Sequence, residues 1–426
     1  METAPAPACV TKFRKECYLN DIRIVDARMG RGKTSAAVKY MSSHPDKRFI
    51  YVTPYLSEVG RICKSCDFEQ PESSSHSKLS ELKELLYEGK NVSTTHSLFS
   101  YFDWEVLDIV RTKHYSLIVD EAIDVVERIN LSDKDFDLLL KECVVVESDT
   151  NIVHWTDENY TGSFSKCKEK ADKGSLYCFD HSFISVMSPD LLRAFDDVIM
   201  MTYLFDGQYQ KAYLDFFGFK YRMCGIDDSD GYEFTETSDS PPRLDYTSLI
   251  KIINDKKLNE IGENRTALSK TWYDSRGRNH HDIIKLRGAM TKVFRRMGTP
   301  VPADRQLWTT FKSSEYKLLG DRDRYKSSFL QMNARATNKY RDRDVVLYLI
   351  NRFVDPNIQK FFSIRNIEID EDKFALSEML QFIWRSAIRD GKPIILYVPS
   401  RRMRELLVDW INEMNYGGDN NKQQTK

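Results

Sequence analysis

The stretch that most narrows what this chain can become is residues 22–41, IRIVDARMGRGKTSAAVKYM. A β-prone run (Ile22, Ile24, Val25) leads into a turn holding Gly30 and Gly32, then Lys33-Thr34, then an apolar segment suited to a helix. In that order, strand, glycine-rich loop and helix are the setting in which Gly-Lys-Thr reads as a phosphate-binding loop. The glycines let the backbone curl so that successive N–H groups face phosphate oxygens, and the helix N-terminus adds its partial positive charge. Lys33 is placed to bridge the β- and γ-phosphates of ATP, and the Thr34 hydroxyl to ligate Mg²⁺. Ala27, Gly30, Arg31, Gly32 and Ser35 complete the expected ATP-binding set.

Residues 115–122, YSLIVDEA, carry the second decisive pattern. An apolar strand delivers Asp120-Glu121 to its C-terminal end, where ligands bind in open α/β sheets. Asp120 would hold Mg²⁺, and Glu121 would orient or deprotonate the attacking water. Apolar strands ending in acids are common. Downstream of a phosphate loop, this one makes nucleotide hydrolysis the expected chemistry.

The rest of the first half alternates strand and helix, which argues a parallel, doubly wound sheet. Strands are expected at 48–54, ending in Thr53-Pro54, and at 196–205 with Thr202 near the end, and 91–99 reads as a short strand turning into a helix. Helices are expected at 56–63 and 79–87, with a serine-rich surface loop between them. His96, beside two threonines, reads as a polar turn residue as readily as a ligand. Residues 131–190 form an insertion whose polar middle has no clear period, and 231–242 is the best linker. The expected domains are therefore 1–240 and 241–426. In the second, strands are expected at 305–312, 328–338 and 393–399, and helices at 375–391 and 401–414.

At 426 residues, 41% hydrophobic and 30% charged, the chain suits a soluble protein of two or three domains. No apolar run approaches the ~20 residues that span a membrane, and no signal-peptide pattern opens the chain. The net charge of −1 hides an asymmetry: residues 1–240 carry 28 basic against 41 acidic side chains, residues 241–426 carry 35 against 23. The excess concentrates in 265–352, with 20 against 8, the footprint of a polyanion-binding face. Aromatics interleave it (Trp272, Tyr273, Phe294, Trp308, Phe311, Tyr325, Tyr340), and most of these are expected in the core. The eight cysteines suit a reducing compartment. Cys63 and Cys66 have zinc-knuckle spacing without a second such pair; Cys167 and Cys178 are the distant candidates, and free thiols the alternative.

Taken together, AxxGxGKT at 27–34, Thr53-Pro54 after a strand, TTHSLF at 94–99, DEAI at 120–123 and the strand bearing Thr202 follow the order of motifs in superfamily 2 helicases. The chain resembles a DEAD/DEAH-box-like helicase of the bacteriophage and prophage type. That resemblance implies two RecA-like α/β domains that sandwich ATP, with nucleic acid running across both. By it, Thr53, Pro54, Thr95 and His96 would line the nucleic-acid path, and Thr202 would couple it to the ATP site. Arg335, Thr337 and Asn338 would meet the strand's backbone, although 328–338 lacks the usual glycine and aspartate of that motif. Gln381, Arg385 and Arg389 resemble QxxGRxxR, with Trp384 in place of the glycine and the second arginine one residue late. Spaced i,i+4 on a helix, Arg385 and Arg389 would share a face and serve as arginine fingers. The resemblance further implies DNA rather than RNA as the track, the bacterial host cytosol as the location, and replication or recombination proteins as company. Two other readings stay open: a packaging terminase ATPase, which needs a nuclease domain with clustered carboxylates, and an ATP-driven binding switch that does not unwind.

Overall fold

A computed structural model describes residues 21–72, 77–229, 231–237, 245–295, 300–320, 323–332 and 338–416. They fall into two compact bodies, one within Met1–Asp239 and Val354–Asp370, the other within Ser240–Phe353 and Glu371–Lys426.

Twelve strands are described in the first body. They are β1 (Ile22–Asp26), β2 (Arg48–Thr53), β3 (Val92–Thr95), β4 (Tyr115–Asp120), β5 (Val126–Arg128), β6 (Val144–Val146), β7 (Val153–Trp155), β8 (Leu176–Phe179), β9 (Ser182–Val186), β10 (Asp197–Thr202), β11 (Tyr221–Asp227) and β12 (Glu233–Thr235). Seven of them form one sheet in the order β12-β11-β1-β10-β4-β2-β3. All its pairings are parallel except that of β12 with β11. Its central strands are apolar along almost their whole length because both faces are covered. Helix α1 (Lys33–Ser42) contributes Ala37 and Met41, and α2 (Leu56–Ser65) contributes Ile62, to a core shared with Val25, Phe49, Ile118 and Met201. The register sets the strand ends level. Asp26 lies opposite Thr202, Met201 opposite Asp120, and Thr53 opposite Thr95, so the polar ends of β1, β10, β4, β2 and β3 form one edge.

The stretch expected as a linker begins as structure. Glu233–Thr235 pairs with β11 as an edge strand, because Gly231, at φ +77°, turns the chain back in a conformation that favours glycine. The insertion is a small body of its own. It comprises the antiparallel sheet β5-β9-β8, the β6-β7 hairpin, and a core that includes Phe136, Leu139, Val153 and Phe183. A segment distant in sequence folds onto it. Within Val354–Asp370, helix Pro356–Ser363 sets Phe361 against Tyr177, Phe179 and Phe216, and the Asn357 amide donates to Ser182 Oγ at 2.6 Å.

The second body holds β13 (Ile250–Ile252), β14 (Gln306–Thr309), β15 (Val345–Tyr348) and β16 (Ile394–Tyr397) in the order β13-β16-β15-β14, all parallel. Two parallel-sheet bodies, the first with a glycine loop after β1, are the two-domain α/β architecture that the motifs imply. Of the aromatics in the basic stretch, Tyr273, Phe294, Trp308 and Tyr325 lie in the core, with Trp272 and Phe311 at its margin and Tyr340 buried. The strand expected at 328–338 is absent from its described part. Lys326–Ser328 is a 3₁₀ turn, and Phe329 makes a single bridge to Trp308, whose indole N–H donates to Tyr325 O at 2.8 Å and fixes the turn. No helix among the described residues is long and apolar enough to cross a membrane.

Candidate nucleotide and nucleic-acid site

Gly30 (φ +77°) and Gly32 (φ +85°) both lie in the left-handed region, and Gly32 caps the start of α1. Only glycine adopts this pair of angles cheaply, so the loop's curl is written into the two residues. Lys33 Nζ donates to Ala27 O and, at 3.2 Å, to Arg28 O, which folds the ammonium back across the loop. Thr34 is half-buried and within side-chain reach of the Tyr51 hydroxyl; Ser35 is exposed.

Asp120, at the end of β4, is buried, and the Tyr51 hydroxyl on the neighbouring β2 donates to its Oδ2 at 2.9 Å. Burial, with Glu121 beside it, pushes the Asp120 carboxyl up to about 6, while the Tyr51 bond and the Lys33 charge pull the other way. A hidden carboxylate, a threonine hydroxyl and a glycine cradle are a donor set that fits a hard divalent cation with a polyphosphate. Glu121 sits at φ +63°, strained for a non-glycine residue. It is held on both flanks: its N–H donates to Met201 O of β10 at 2.9 Å, and its Oε2 accepts from the Tyr55 hydroxyl at 3.0 Å. His96 Nε2 lies 2.8 Å from Asp120 O, so the histidine touches the backbone of the acidic pair.

Thr202 donates to Gln208 Oε1 at 2.7 Å, and the Gln208 amide donates to Tyr203 O at 2.8 Å. This closes the turn after β10, which also carries Leu204 at φ +56°. Asp26 grips the turn from the base of the glycine loop, its Oδ2 accepting from Phe205 N at 3.2 Å. Asp26 Oδ1 is buried with no partner among the described residues, and burial raises this carboxyl too.

Residues 244–411 match the family model described as the YonV C-terminal Rossmann-like domain, and residues 126–187 match the YonV middle domain. Over 411 residues the chain is 37% identical to the SPbeta prophage-derived uncharacterized protein YonV of Bacillus subtilis (strain 168), covering 92% of this chain and 98% of that protein. The chain belongs to the YonV family. Among solved structures it is similar to S. tokodaii Xpd4, at 11% identity over 92% of this chain and 94% of that one, with a TM-score of 0.45. It is also similar to S. cerevisiae Dbp5 bound to RNA and ADP BeF3, at 11% identity over 94% and 84%, with a TM-score of 0.34.

In this YonV-family chain the remaining candidates are placed as follows. Thr53 is fully buried at the end of β2; Pro54 is half-buried after it. Thr95 Oγ1 accepts from Leu98 N at 3.2 Å and caps the short helix His96–Phe99. Arg335 and Thr337 lie outside the described residues, and Asn338 opens the 3₁₀ turn Asn338–Tyr340. The helix expected at 375–391 ends early, since Glu371–Ile383 is its full extent. Trp384 N makes the last i→i−4 bond, to Leu380 O; Arg385 N and Ser386 N turn instead to Phe382 O and Ile383 O, and Ala387 N donates to Arg343 O at 2.9 Å. Gln381 is on the helix, Arg385 is in the turn after it, and Arg389 is exposed in the 3₁₀ turn Ala387–Asp390. Arg385 and Arg389 therefore do not share a helix face. Trp384, in the glycine's place, is a core residue against Tyr246 and Trp410.

Sequence reasoning missed Tyr51, Tyr55 and Asp26. A signal existed for each: Tyr51, Thr53 and Tyr55 fall on alternate positions along and just past a strand, and Asp26 directly precedes the loop. It also missed the β11–β12 hairpin, where nothing in the residues pointed to the loop. The Tyr232 ring lies so near Gly32 that a Cβ there would come within 2.2 Å of it. The buried Arg31 pairs with Asp228, which turns its guanidinium toward the hairpin, and Lys39 pairs with Glu233 at 2.6 Å. Cys63 and Cys66 pack at the margin of the first core, and burial raises both thiols. Tyr101 (54% exposed) and Trp104 (80%), just past the His96–Phe99 helix, are large and open to solvent.

Proposed function

We propose that this chain is an ATP hydrolase of the helicase type whose turnover is stimulated by nucleic acid, with DNA as the preferred track. One observation carries the reading: the Lys33-Thr34 loop and the Asp120-Glu121 pair meet at a common sheet edge, near enough that the Lys33 charge acts on the Asp120 carboxyl. When bound, ATP with Mg²⁺ supplies the phosphoryl group and a fixed positive charge. The N–H groups of the 30–34 loop would cradle phosphate oxygens, Lys33 would neutralise them, and Thr34 and Asp120 would hold the cation. Glu121 orients the attacking water and takes its proton. Tyr51 keeps the Asp120 carboxylate aimed and ionised. Pro54, Thr95 and His96 face the nucleic-acid strand, with the buried Thr53 behind them at the end of β2; Tyr101 and Trp104 offer it stacking platforms, and Thr202 with its closed turn relays the phosphate site's state.

A second reading, a binding switch that hydrolyses without unwinding, is favoured by the helix that stops at Ile383 and the core residue Trp384 in the arginine-finger region. Phosphate release measured with and without single-stranded DNA, duplex DNA and RNA, at two salt concentrations, tests the main proposal. Salt-sensitive stimulation is expected, strongest with single-stranded DNA; a rate indifferent to all three overturns it. A strand-displacement assay then separates helicase from switch.

A further inference from the structure

Glu121 is the residue on which hydrolysis turns, and its carboxylate is already engaged. The partner is Tyr55, two residues past Thr53 at the end of β2, where the strand leaves the sheet edge and α2 begins. Tyr55 and Glu121 are both half-buried, so the bond is reachable from solvent. The backbone beneath Glu121 is strained at φ +63° and is pinned by the bond from its N–H to Met201 O. With the backbone fixed, the carboxylate's direction depends on its side-chain partner. At 3.0 Å the bond has little slack, because lengthening it by about half an ångström takes it out of hydrogen-bonding range. Leu56, the next residue, is 68% exposed, an apolar handle on the same arm. The neighbouring arm is tied to the same pair, His96 reaching Asp120 O at 2.8 Å.

We propose that Tyr55 is a positioning residue that restrains Glu121, and that nucleic acid docking on residues 53–56 pulls the tyrosine away and frees the carboxylate to aim the attacking water. This rests on the proposed function, which puts the strand on that arm. The device makes hydrolysis conditional on the track. Without nucleic acid Glu121 points at a tyrosine; with it, Glu121 points at water. Because the bond is broken when the strand docks, its free energy opposes docking and hydrolysis alike, and coupling between two sites is reciprocal.

Tyr55→Phe removes the one hydroxyl and keeps the ring. Two changes are expected in otherwise wild-type full-length protein. The hydrolysis rate without nucleic acid rises by about three- to tenfold, the span that one ordinary hydrogen bond holds back, while the stimulated rate stays put, so the stimulation ratio falls. Independently of any hydrolysis, binding of a fluorescently labelled single-stranded DNA oligonucleotide to nucleotide-free protein, read by anisotropy, tightens by a similar factor. A tyrosine that only braces the fold would weaken both quantities or leave both alone, and a melting curve matching wild type shows that the variant is folded. If Tyr55→Phe melts early, Leu56→Ser, which removes the apolar handle and leaves the tyrosine, is expected to weaken oligonucleotide binding and the stimulation together. A stimulation ratio or an oligonucleotide affinity unchanged in Tyr55→Phe overturns the inference while leaving the proposed function standing. A wild-type protein whose hydrolysis ignores nucleic acid overturns both.

Discussion

The two bodies are built on the same kind of parallel sheet, yet among the described residues the carboxyls that burial raises all lie in the first, while both bodies hold others low, as Lys83 does Asp103 in the first. In the first, Asp26 and Asp120 stand at the ends of strands next to the glycine loop, and burial pushes both carboxyls up. In the second, Glu260, Asp282 and Asp390 are held below the usual carboxylate range by Lys285, Arg276 and Arg341. Arg402 is likewise committed, bonding Asp372 at 2.6 Å and Arg352 O at 2.7 Å. A carboxylate matched to a cation of its own body is part of how the chain folds. A carboxylate kept from water without such a match costs stability and is tolerated where a ligand supplies the missing charge. The difference separates a site from a scaffold more sharply than net charge does.

The largest test of that contrast is Lys33→Ala. Lys33 is the cation of the glycine loop, and it donates to the carbonyls of Ala27 and Arg28. Phosphate release is expected to fall by about 10²–10³-fold or more, as for loss of a preorganised electrostatic group, with the melting temperature unchanged. Turnover within a few-fold of wild type would show that the loop is not the site.

Asp120 gives the next test, through pH. Its folded value of about 6 lies above the ordinary 3.8. The native state therefore holds the proton more tightly than the unfolded chain, and stability is lost as pH rises through that window. Measured by urea unfolding without divalent cation, the advantage of Asp120→Asn over wild type is expected to grow by about 1–2 kcal/mol from about pH 5 to about pH 7.5. Saturating Mg²⁺ with nucleotide should flatten the trend, because a bound cation stabilises the ionised form. A gap constant with pH would place Asp120 with the scaffold carboxylates.

Trp104 tests whether the first body's edge also meets bases. At 80% exposure it contributes little to the core, so Trp104→Ala should leave the melting temperature near wild type. Oligonucleotide affinity is expected to fall about tenfold, within the range for losing one stacking platform. Unchanged affinity would move the strand away from that face.

How much of this could be read from the residues follows the same division. The loop of Gly30 and Gly32 and the strand into Asp120-Glu121 are local features, and local chemistry is what a sequence displays. Tyr55 reaching Glu121 and Asp26 gripping the turn at Phe205 are contacts across 66 and 179 positions of chain, created by the order of strands in the sheet. The helix ends at Ile383, Arg385 N turns to Phe382 O, and the chain then leaves for a backbone acceptor, Arg343 O, that no periodicity marks. The return of Val354–Asp370 to the first body is the same kind of fact, since aromatic packing of Phe361 on Tyr177 and Phe216 shows only once both are folded.

The smallest expected effect bears on the basic half. Its excess charge was read as a polyanion footprint, but Arg341 bonds Asp390, Arg305 bonds Asp344, and Arg276 bonds Asp282 at 2.8 Å. Lys270, Lys292, Arg295 and Arg324, by contrast, are exposed and pair with no carboxylate among the described residues. A phosphate gains from a cation only to the degree that the cation is not already matched, and each counterion released on binding steepens the salt dependence by about one unit of log–log slope. Arg341→Gln should therefore change oligonucleotide affinity by less than about twofold and leave the salt slope alone, because it removes a matched pair's cation from an exposed position. Replacing the four unmatched residues with glutamine should flatten the slope by about one unit for each that touches the strand. If Arg341→Gln flattened the slope as much as any of the four, the matched cations would be exchanging partners with phosphate. The division between scaffold charge and site charge would then hold for the first body's buried carboxylates and fail for the surface of the second.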